Sequence, residues 1–431
     1  MRVVAFLPAK GKSRRIKSKN IKLLDGKPLF LHTLEKLMKC EFIDEVYLDS
    51  DSEAVFDLAS EVDCKYLRRD PSLANNNTDG HMLMYNEAKK VEADIYIQIL
   101  CTSPFIKIDT IRKGLKKLKN EERYDSIVLV KREKQYLWDE NEPLYNYEHI
   151  PNSNELDDTI IETMGLYIVN KEVALNKEKR IGSNPYLLEA EAIEAVDVNY
   201  PEDFKLASYI MAGKREEERE RFRNLSKILT SAMLSDIMDN LNLDNFISGL
   251  KPNMKNKKIM GRAKTLKLRK LNEGEDFRGI YEALESYKTI VPNDIIVVEN
   301  EISEYAYFGN LNANLAIKSG AVGAIIGGKT RDRKDVTDLD FPVFSTGNIS
   351  KDVRKRATTE SINKKVSIMG VEVSPGDLIF ADSDGIIVLP KKYENLIIKK
   401  ALKVIKTENK IISDILVGHN TNDIIDRYGA F

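Results

Sequence analysis

Short apolar runs alternate with helical patterns through the first half of the chain, and this rhythm constrains the fold more than any other feature. The runs at Arg2 to Leu7, Glu45 to Asp49 and Ala93 to Leu100 predict strands, whereas Leu29 to Lys39 and Glu53 to Glu61 have helical spacing. Strands that alternate with helices form a mostly parallel sheet with helices on both faces. Because ligands of such sheets lie beyond the carboxyl ends of the strands, we expect a site in the loops that follow them.

The character of the sequence changes near residue 213, which predicts two domains. Residues 213–224 are almost wholly charged, with opposite charges at i,i+4 spacing, and predict a solvated helical linker. An amphipathic helix is predicted over Leu225 to Leu241, followed by glycine turns and β-branched runs. We therefore expect an α/β domain at 1–212, the linker at 213–224, and a second α/β domain of unlike topology at 225–431.

Charge and cysteine content argue against several classes of protein. Lys plus Arg is 67 and Asp plus Glu is 68, so the chain lacks the basic excess of nucleic-acid-binding proteins. The three cysteines are widely spaced and unpaired in sequence, which argues against a disulfide framework or a structural zinc site. No apolar run reaches the ~18 residues needed to span a bilayer. We expect a cytoplasmic protein with neither nucleic-acid nor membrane partners.

Seven basic residues lie between Lys10 and Lys22, directly after the first predicted strand, with Gly11 and Ser13 among them. Backbone N–H groups and cations at this position can bind a polyphosphate. The spacing is neither GxxxxGK[ST] nor GxGxxG. By composition alone, a solvated basic loop is the ordinary interpretation of such a segment.

The segment from Pro8 to Ile16, followed by Lys19-Asn20 and Leu24 to Leu29, resembles the opening of the acylneuraminate cytidylyltransferases. The resemblance continues in four later segments: Asp49 to Glu53, Arg69 to Ala74, Thr102 to Pro104, and Asp197 to Phe204. Enzymes of that family use CTP to activate sialic and other nonulosonic acids and release pyrophosphate. The resemblance implies a Rossmann-like, nucleotide-diphosphosugar-transferase-like domain over residues 1–212.

The same resemblance implies roles for single residues in the nucleotide site. Lys10, Ser13 and Lys19 would hold the triphosphate, with Gly11 in the same loop. Asn20 and Arg69 would contact the cytidine. Lys19 is also an expected catalytic residue.

A metal site is implied by the family pattern Asp-x-Asp, which is Asp197-Val198-Asn199 in this chain. On a strand, residues 197 and 199 share a face, so both side chains could reach one Mg²⁺. The amide oxygen of Asn199 is an uncharged ligand, so we expect weakened metal binding at Asp197 and Asn199, with Asp197 catalytic. The alternative is that the two residues only cap a turn.

Departures near the expected acceptor site bear on the substrate. The family's Gln-Pro-Thr-Ser-Pro is replaced by Leu100-Cys101-Thr102-Ser103-Pro104, and Glu162-Thr163-Met164-Gly165 replaces the common Glu-Asn-Gly. These changes favour a 2-keto-sugar acid other than N-acetylneuraminate.

The second half of the chain resembles the RraA-like proteins and the 4-hydroxy-4-methyl-2-oxoglutarate aldolases. The resemblance is carried by the stretch from Gly327 to Asp332, by Pro375-Gly376-Asp377, and by Ala381 to Gly385. It implies a swivelling α/β/α fold over 225–431. Members of that family commonly form trimeric rings.

In those aldolases Mg²⁺ and a pyruvate-type 2-keto acid are bound by an acidic residue and an Arg-Asp pair, with twenty residues between them in the sequence. Here Arg331 is the expected catalytic residue and Asp332 the expected metal ligand. Asn310 stands where the family has the acidic residue. An amide cannot act as a base, so lyase chemistry and a purely binding or assembly role both stay open.

The sequence thus predicts a CTP-dependent cytidylyltransferase for a 2-keto-sugar acid, fused to an RraA/aldolase-like domain. Two alternatives remain: a non-catalytic assembly or regulatory protein, or cytidylyl transfer to a non-sugar acid such as a phosphonate. We expect a homo-oligomer, with dimeric contacts through the first domain and trimeric contacts through the second, giving a trimer or hexamer.

Overall fold

A computed structural model describes residues 1–75 and 77–429 of the chain. Its contacts divide the chain into two compact units, Met1–Ala212 and Gly213–Phe431. Within the described residues, no helix combines the length and apolar character needed to cross a bilayer.

The first unit is built on a central sheet flanked by helices. Its strands are β1 (Val3–Pro8), β2 (Leu23–Leu24), β3 (Lys27–Pro28), β4 (Glu45–Ser50), β5 (Lys65–Arg68), β6 (Ile95–Ile99), β7 (Ser126–Glu133), β8 (Thr159–Asn170) and β9 (Pro185–Glu189). Its helices are α1 (Leu29–Leu37), α2 (Glu53–Leu58), α3 (Gly80–Lys90) and α4 (Ile108–Asn120), and α5 (Pro201–Ile228) begins here.

The central sheet has the strand order β5-β4-β1-β6-β8-β7-β9. Every neighbouring pair is parallel except the two that involve β8. Val3, Ala5 and Leu7 of β1 pack in the core beneath α1, α2 and α4, whereas Val4 and Phe6 pack on the opposite face beneath α3. This alternation buries both faces of the strand and confirms the predicted mostly parallel sheet.

Three neighbouring strands, β1, β4 and β6, end together at one edge of this sheet. The segments that follow them are the basic loop from residue 9, residues 51–52 before α2, and residues 100–107 before α4. Parallel strands bring their following loops together, so the predicted site residues meet at this edge.

The apolar alternation over Ala192 to Val198, which includes Asp197, predicts a strand, and this prediction is wrong. Residues 192–195 form turns, and residues 196–199 belong to no strand. The backbone N–H of Val198 donates to the Thr102 carbonyl at 2.8 Å, so the segment pairs with a loop and not with the edge of the sheet. Its apolar alternation reflects the burial of Val198 and the partial burial of Val196 beside the loop.

The stretch from Tyr136 to Asp158 is polar and contains Pro143 and Pro151, which predicts a long excursion or lid. It contains a 3₁₀ turn at Ser153–Glu155 and no strand. Near its start, the ring of Tyr145 lies 5.1 Å from that of Tyr136 and 6.4 Å from that of Trp138. The excursion ends at β8. A lid function stays a prediction.

The second unit contains more and shorter strands. These are β10 (Phe246–Ile247), β11 (Lys251–Pro252), β12 (Ile259–Lys270), β13 (Asp294–Asn300), β14 (Ala306–Phe308), β15 (Gly323–Gly327), β16 (Lys329–Thr330), β17 (Val343–Ser345), β18 (Gly347–Asn348), β19 (Ala357–Ile362), β20 (Val366–Ile368), β21 (Val371–Val373), β22 (Leu378–Ala381) and β23 (Ile386–Leu389). Its helices are α6 (Ser231–Asp239), α7 (Asn310–Ser319), α8 (Arg333–Asp338), α9 (Glu394–Val417) and α10 (Thr421–Tyr428), and a 3₁₀ segment covers Phe277–Thr289.

The larger sheet of this unit has the order β10-β23-β22-β12-β13-β15-β17-β11, with β19 also paired to β12. Strands β14, β16 and β18 form a separate small parallel sheet in that order. The two units therefore have unlike topologies, as predicted, and both are α/β.

The single helix predicted over Leu225 to Leu241 is wrong, because α5 ends at Ile228 and α6 begins at Ser231. The Thr230 side chain caps α6 by accepting from the Met233 N–H at 3.2 Å. The backbone N–H and hydroxyl of Ser231 donate to the Asp382 carboxylate at 2.9 and 2.6 Å.

The charged stretch 213–224 lies within α5, and only part of it is solvated. Phe222 is buried, and its ring lies 5.2 Å from the guanidinium of Arg262 on β12. That guanidinium also forms ion pairs with Glu218 and Glu394, each at 2.5 Å. This stretch belongs to the second unit, and one of its faces packs against other residues of that unit.

Candidate functional site

A cavity of about 380 Å³ lies at the edge of the first unit's sheet where β1, β4 and β6 end. Five predicted nucleotide-site residues line it together: Lys10, Ser13, Lys19, Asn20 and Arg69. Three further arginines, Arg14, Arg15 and Arg180, also line it. The cavity is therefore strongly cationic, as a triphosphate site requires.

Asn20 is held by two contacts at the wall of this cavity. Its Nδ2 donates to the Lys10 carbonyl at 2.8 Å, and its Oδ1 accepts from Cys101 Sγ at 3.2 Å. Burial raises the pKa of the Cys101 thiol to about 11, so the thiol stays protonated and can donate. Cys101, which departs from the family pattern, thus orients a predicted cytidine contact.

Arg69 is anchored by a fully buried carboxylate. Its Nε and Nη2 donate to Asp49 Oδ2 at 3.0 and 2.7 Å. Glu87 lies fully buried beside Asp49, and burial, reinforced by the Asp49 charge, raises the pKa of Glu87 well above its ordinary value. Gln98 Nε2 donates to Glu87 Oε2 at 2.7 Å. The raised pKa favours the neutral form of Glu87, so that Asp49 is the counterion of the buried Arg69 guanidinium.

Lys19 connects the basic loop to the predicted metal ligands. Its Nζ donates to the Val198 carbonyl at 2.7 Å and to Asn199 Oδ1 at 3.4 Å. Burial lowers the pKa of Lys19, and the nearby charge of Asp197 partly opposes this shift. Asn199 Nδ2 in turn donates to Asp197 Oδ2. The structure therefore brings Lys19, Asp197 and Asn199 together without the predicted strand.

Asp197 offers an oxygen that fits a divalent cation. Its Oδ1 is buried and has no hydrogen-bond partner among the described residues, and burial raises the pKa of this carboxyl. Within the same residues, no group of three or more acidic, histidine or cysteine side chains could enclose a metal. One carboxylate and one amide oxygen suit Mg²⁺, which usually keeps waters and substrate phosphate oxygens as its other ligands.

Gly11 does not direct its N–H toward the cavity. The N–H donates to Asp51 Oδ1 at 2.8 Å, and a Cβ at Gly11 would lie 2.6 Å from the Cβ of Ser52. The absence of a side chain allows the basic loop to pack against the segment after β4.

Arg180 lines the cavity and was not predicted. Its guanidinium carbon lies 3.9 Å from the ring centre of Tyr167, and Nη2 donates to the Tyr167 hydroxyl at 3.1 Å. The Arg180 N–H donates to His81 Nδ1 at 3.1 Å, and a Cβ at Gly80 would lie 2.1 Å from the guanidinium carbon. Arg180 follows an irregular segment between β8 and β9, so positive charge was its only signal in the sequence.

The second unit brings its three predicted residues together at the ends of β14 and β16. The Asn310 N–H donates to Asp332 Oδ2 at 3.1 Å, and the same oxygen lies 3.7 Å from Arg331 Nε. Arg331 Nη1 forms an ion pair with Asp352 at 3.0 Å, a partner the sequence did not reveal. A Cβ at Gly309 would lie 2.6 Å from Asp332 Oδ2, so a larger residue here would displace the Asp332 carboxylate. Arg331 lines a cavity of about 600 Å³.

Two protein-family models match the chain. A cytidylyltransferase model matches residues 4–195, and an RraA-like model described as Aldolase/RraA matches residues 231–388. Both resemblances found in the sequence are confirmed.

Individual relatives match one half of the chain or the other. An N-acylneuraminate cytidylyltransferase of Escherichia coli is 24% identical over 52% of this chain and 55% of its own length. A Halalkalibacterium halodurans protein, provisionally named a 4-hydroxy-4-methyl-2-oxoglutarate aldolase, is 30% identical over 41% of this chain and 80% of its own. Protein DlpA of Legionella pneumophila is 26% identical over 46% of this chain, and the matched region is 32% of DlpA's own length.

Proposed function

Because the chain joins a cytidylyltransferase-family domain to an RraA-like domain, we propose that it transfers CMP from CTP to a 2-keto-sugar acid. One observation carries the proposal: Lys10, Ser13, Lys19, Asn20 and Arg69 line a single cavity, and Lys19 contacts Asn199 beside Asp197. The relatives that match the first half include enzymes named for sialic, legionaminic, pseudaminic and 3-deoxy-manno-octulosonic acids.

The proposed reaction forms a bond between a sugar hydroxyl oxygen and the α-phosphorus of CTP. The bond between the α-phosphorus and its bridging oxygen breaks, pyrophosphate leaves, and the hydroxyl proton is released. Such chemistry depends mainly on positioning and charge neutralisation. Lys10, Ser13 and Lys19 contact the triphosphate, and the Val198 carbonyl fixes Lys19. Asp197 and Asn199 would hold Mg²⁺, which would supply neutralisation of phosphate charge.

Arg180 is the proposed contact for the carboxylate of the acid substrate. A guanidinium binds a carboxylate through two parallel hydrogen bonds, and Tyr167 holds this one in place within the cavity. The position vacated by the family's glutamine is Leu100, which also lines the cavity. The ion pair between Arg180 and the substrate carboxylate would thus replace the contact that the family's glutamine makes.

The test is pyrophosphate release from CTP, Mg²⁺ and a panel of 2-keto-sugar acids by the full-length protein. Release with one acid identifies the substrate. Asp197→Asn should lower kcat at least 100-fold, as expected when a charged group that stabilises the transition state is removed. The matched control, Asp63→Asn, changes an exposed carboxylate outside the cavity and should leave the rate unchanged. CTP binding without release for any acid would instead support a non-catalytic role or a non-sugar acceptor.

For the second unit we propose binding of a pyruvate-type 2-keto acid, with its carboxylate on Arg331 and Asp332 as the single acidic ligand for Mg²⁺. The contact between Asp332 and the Asn310 N–H supports this arrangement of the three residues. Asn310 offers no base, and its Oδ1 accepts from Asn314 at 2.9 Å. The proposal is therefore retention of a keto acid, not its cleavage.

A further inference from the structure

The cavity of about 600 Å³ in the second unit has an unusual charge distribution. Four cationic side chains line it, namely Lys251, Lys255, Arg331 and Arg333, and no acidic side chain is among its lining residues. Its volume lies within the range of cavities that hold drug-sized ligands, which is larger than a three-carbon keto acid needs.

Three of these cations lack a counterion. Among the described residues, Lys251, Lys255 and Arg333 have no acidic partner within 4 Å, whereas Arg331 pairs with Asp352. Nearby Lys257, which does not line the cavity, is paired with Asp340 at 2.6 Å. Positive charge without a counterion is therefore concentrated in the cavity, whereas Lys257, which lies outside the cavity, has a counterion.

The wall that carries these cations is built from paired backbone. Lys251 on β11 lies opposite Ser345 of β17 in the antiparallel register. Two residues further on, Asn253 exchanges hydrogen bonds with Val343, its N–H donating at 2.9 Å and its Oδ1 accepting at 2.8 Å. This anchor fixes the segment that continues to Lys255. Arg333 opens α8, two residues after Arg331.

A single carboxylate would leave most of this charge unmatched. Like charges that share one cavity repel each other, so a ligand with several negative charges gains most by entering. A phosphate group carries up to two charges and accepts hydrogen bonds from both Lys and Arg. Arg331 is already assigned to a carboxylate, which leaves Lys251, Lys255 and Arg333 for a second anionic group.

We propose that this cavity binds an organic acid that carries a phosphate group in addition to its carboxylate. Arg331 receives the carboxylate, and Lys251, Lys255 and Arg333 receive the phosphate. The assignment of the carboxylate rests on the proposed keto-acid role of Arg331, whereas the phosphate subsite does not.

The experiment compares phosphoenolpyruvate with pyruvate by calorimetric titration of the full-length protein, since the two probes share a carboxylate and differ in the phosphate. Phosphoenolpyruvate should bind at least tenfold more tightly, and the difference should shrink as salt rises. The variant Lys251→Ala/Lys255→Ala, and separately Arg333→Ala, should abolish the preference. Arg333→Lys should keep most of it, and the control Lys257→Ala should keep all of it.

Several results would overturn the proposal. Equal affinity for the two acids would remove the phosphate subsite. A preference that survives the second-unit variants would place the bound phosphate elsewhere, for instance in the basic loop of the first unit. Inorganic phosphate binding as tightly as phosphoenolpyruvate would reduce the site to one for free phosphate. If the preference depends on Lys251 and Lys255 but pyruvate still binds after Arg331→Ala, the subsite stands and the role proposed for Arg331 fails.

Discussion

Asn199 places a neutral amide beside Asp197, where a second carboxylate would double the negative charge available to Mg²⁺. Asn199→Asp should therefore lower the Mg²⁺ concentration for half-maximal pyrophosphate release about fivefold to tenfold, a gain of about 1 kcal/mol in metal binding. The two carboxylates would repel when no metal is bound, which raises the pKa of Asp197 further. The measurement is a Mg²⁺ titration of the rate at saturating CTP.

Asn120→Asp, at the exposed end of α4, is the control for added charge. An unchanged Mg²⁺ requirement in Asn199→Asp would show that this side chain does not reach the metal.

His32 on α1 makes the first unit sensitive to acid. Burial lowers the pKa of His32 to about 4, and its Nε2 contacts the Leu24 carbonyl at 2.8 Å. The folded state favours the neutral ring, so its stabilisation is complete above about pH 6.5 and declines as pH falls toward 4. Between pH 7 and 4.5, the wild type should lose about 1–2 kcal/mol more unfolding free energy than His32→Gln. Urea denaturation followed by circular dichroism measures this difference, and equal losses would contradict it.

Single residues differ in how far the sequence could reveal them. Lys10, Lys19 and Asn20 were predicted because they belong to the short motif that carries the family resemblance, and the structure places all three at one cavity. Arg180 and Asp352 were not, since each reaches its site through tertiary contacts from an irregular segment or loop without a motif.

At the scale of elements, the break between α5 and α6 depends on one cap. Thr230→Ala removes the acceptor for the Met233 N–H and should lower the unfolding free energy of the second unit by about 1 kcal/mol. Thr230→Ser retains the hydroxyl and should restore most of the stability. Urea denaturation of the full-length variants distinguishes them, and no loss in Thr230→Ala would show that the Ser231 contacts with Asp382 suffice to start α6.

The sequence predicted the strands β1, β4 and β6 because each contains a short apolar run. Strands β1 and β6 are buried along their whole length, and β4 is buried except at Glu45 and Tyr47. It failed at the break after Ile228, since Leu225, Leu229 and Leu234 continue a helical apolar pattern across it and all three are buried. Thr230 was the available signal, as threonine is a favoured cap. The strand prediction for residues 192–198 was wrong for another reason: the backbone of Val198 pairs with a loop and not with a strand.

At the scale of the whole molecule, the residues proposed for nucleotide transfer and for keto-acid binding belong to different units. Arg331→Ala should weaken pyruvate binding at least tenfold, because a charge-assisted pair is lost, while pyrophosphate release continues. Calorimetry and the pyrophosphate assay on the same preparation test both halves of this expectation. Loss of pyrophosphate release would show that the two chemistries are coupled.

The general plan of two α/β units could be predicted from the rhythm of apolar runs and the change in character near residue 213. The expected assembly into trimers or hexamers rests on the family resemblance and stays a prediction.

The missing side chain at Gly80 has a consequence for the history of this protein. Any larger residue there would collide with the Arg180 guanidinium that Tyr167 and Gln98 hold. The colliding atoms are the end of a flexible side chain, so a larger residue at position 80 would push the guanidinium away from Tyr167 and Gln98. A lineage that replaces Gly80 therefore gives up the present placement of Arg180, and descendants that keep this placement should keep the glycine.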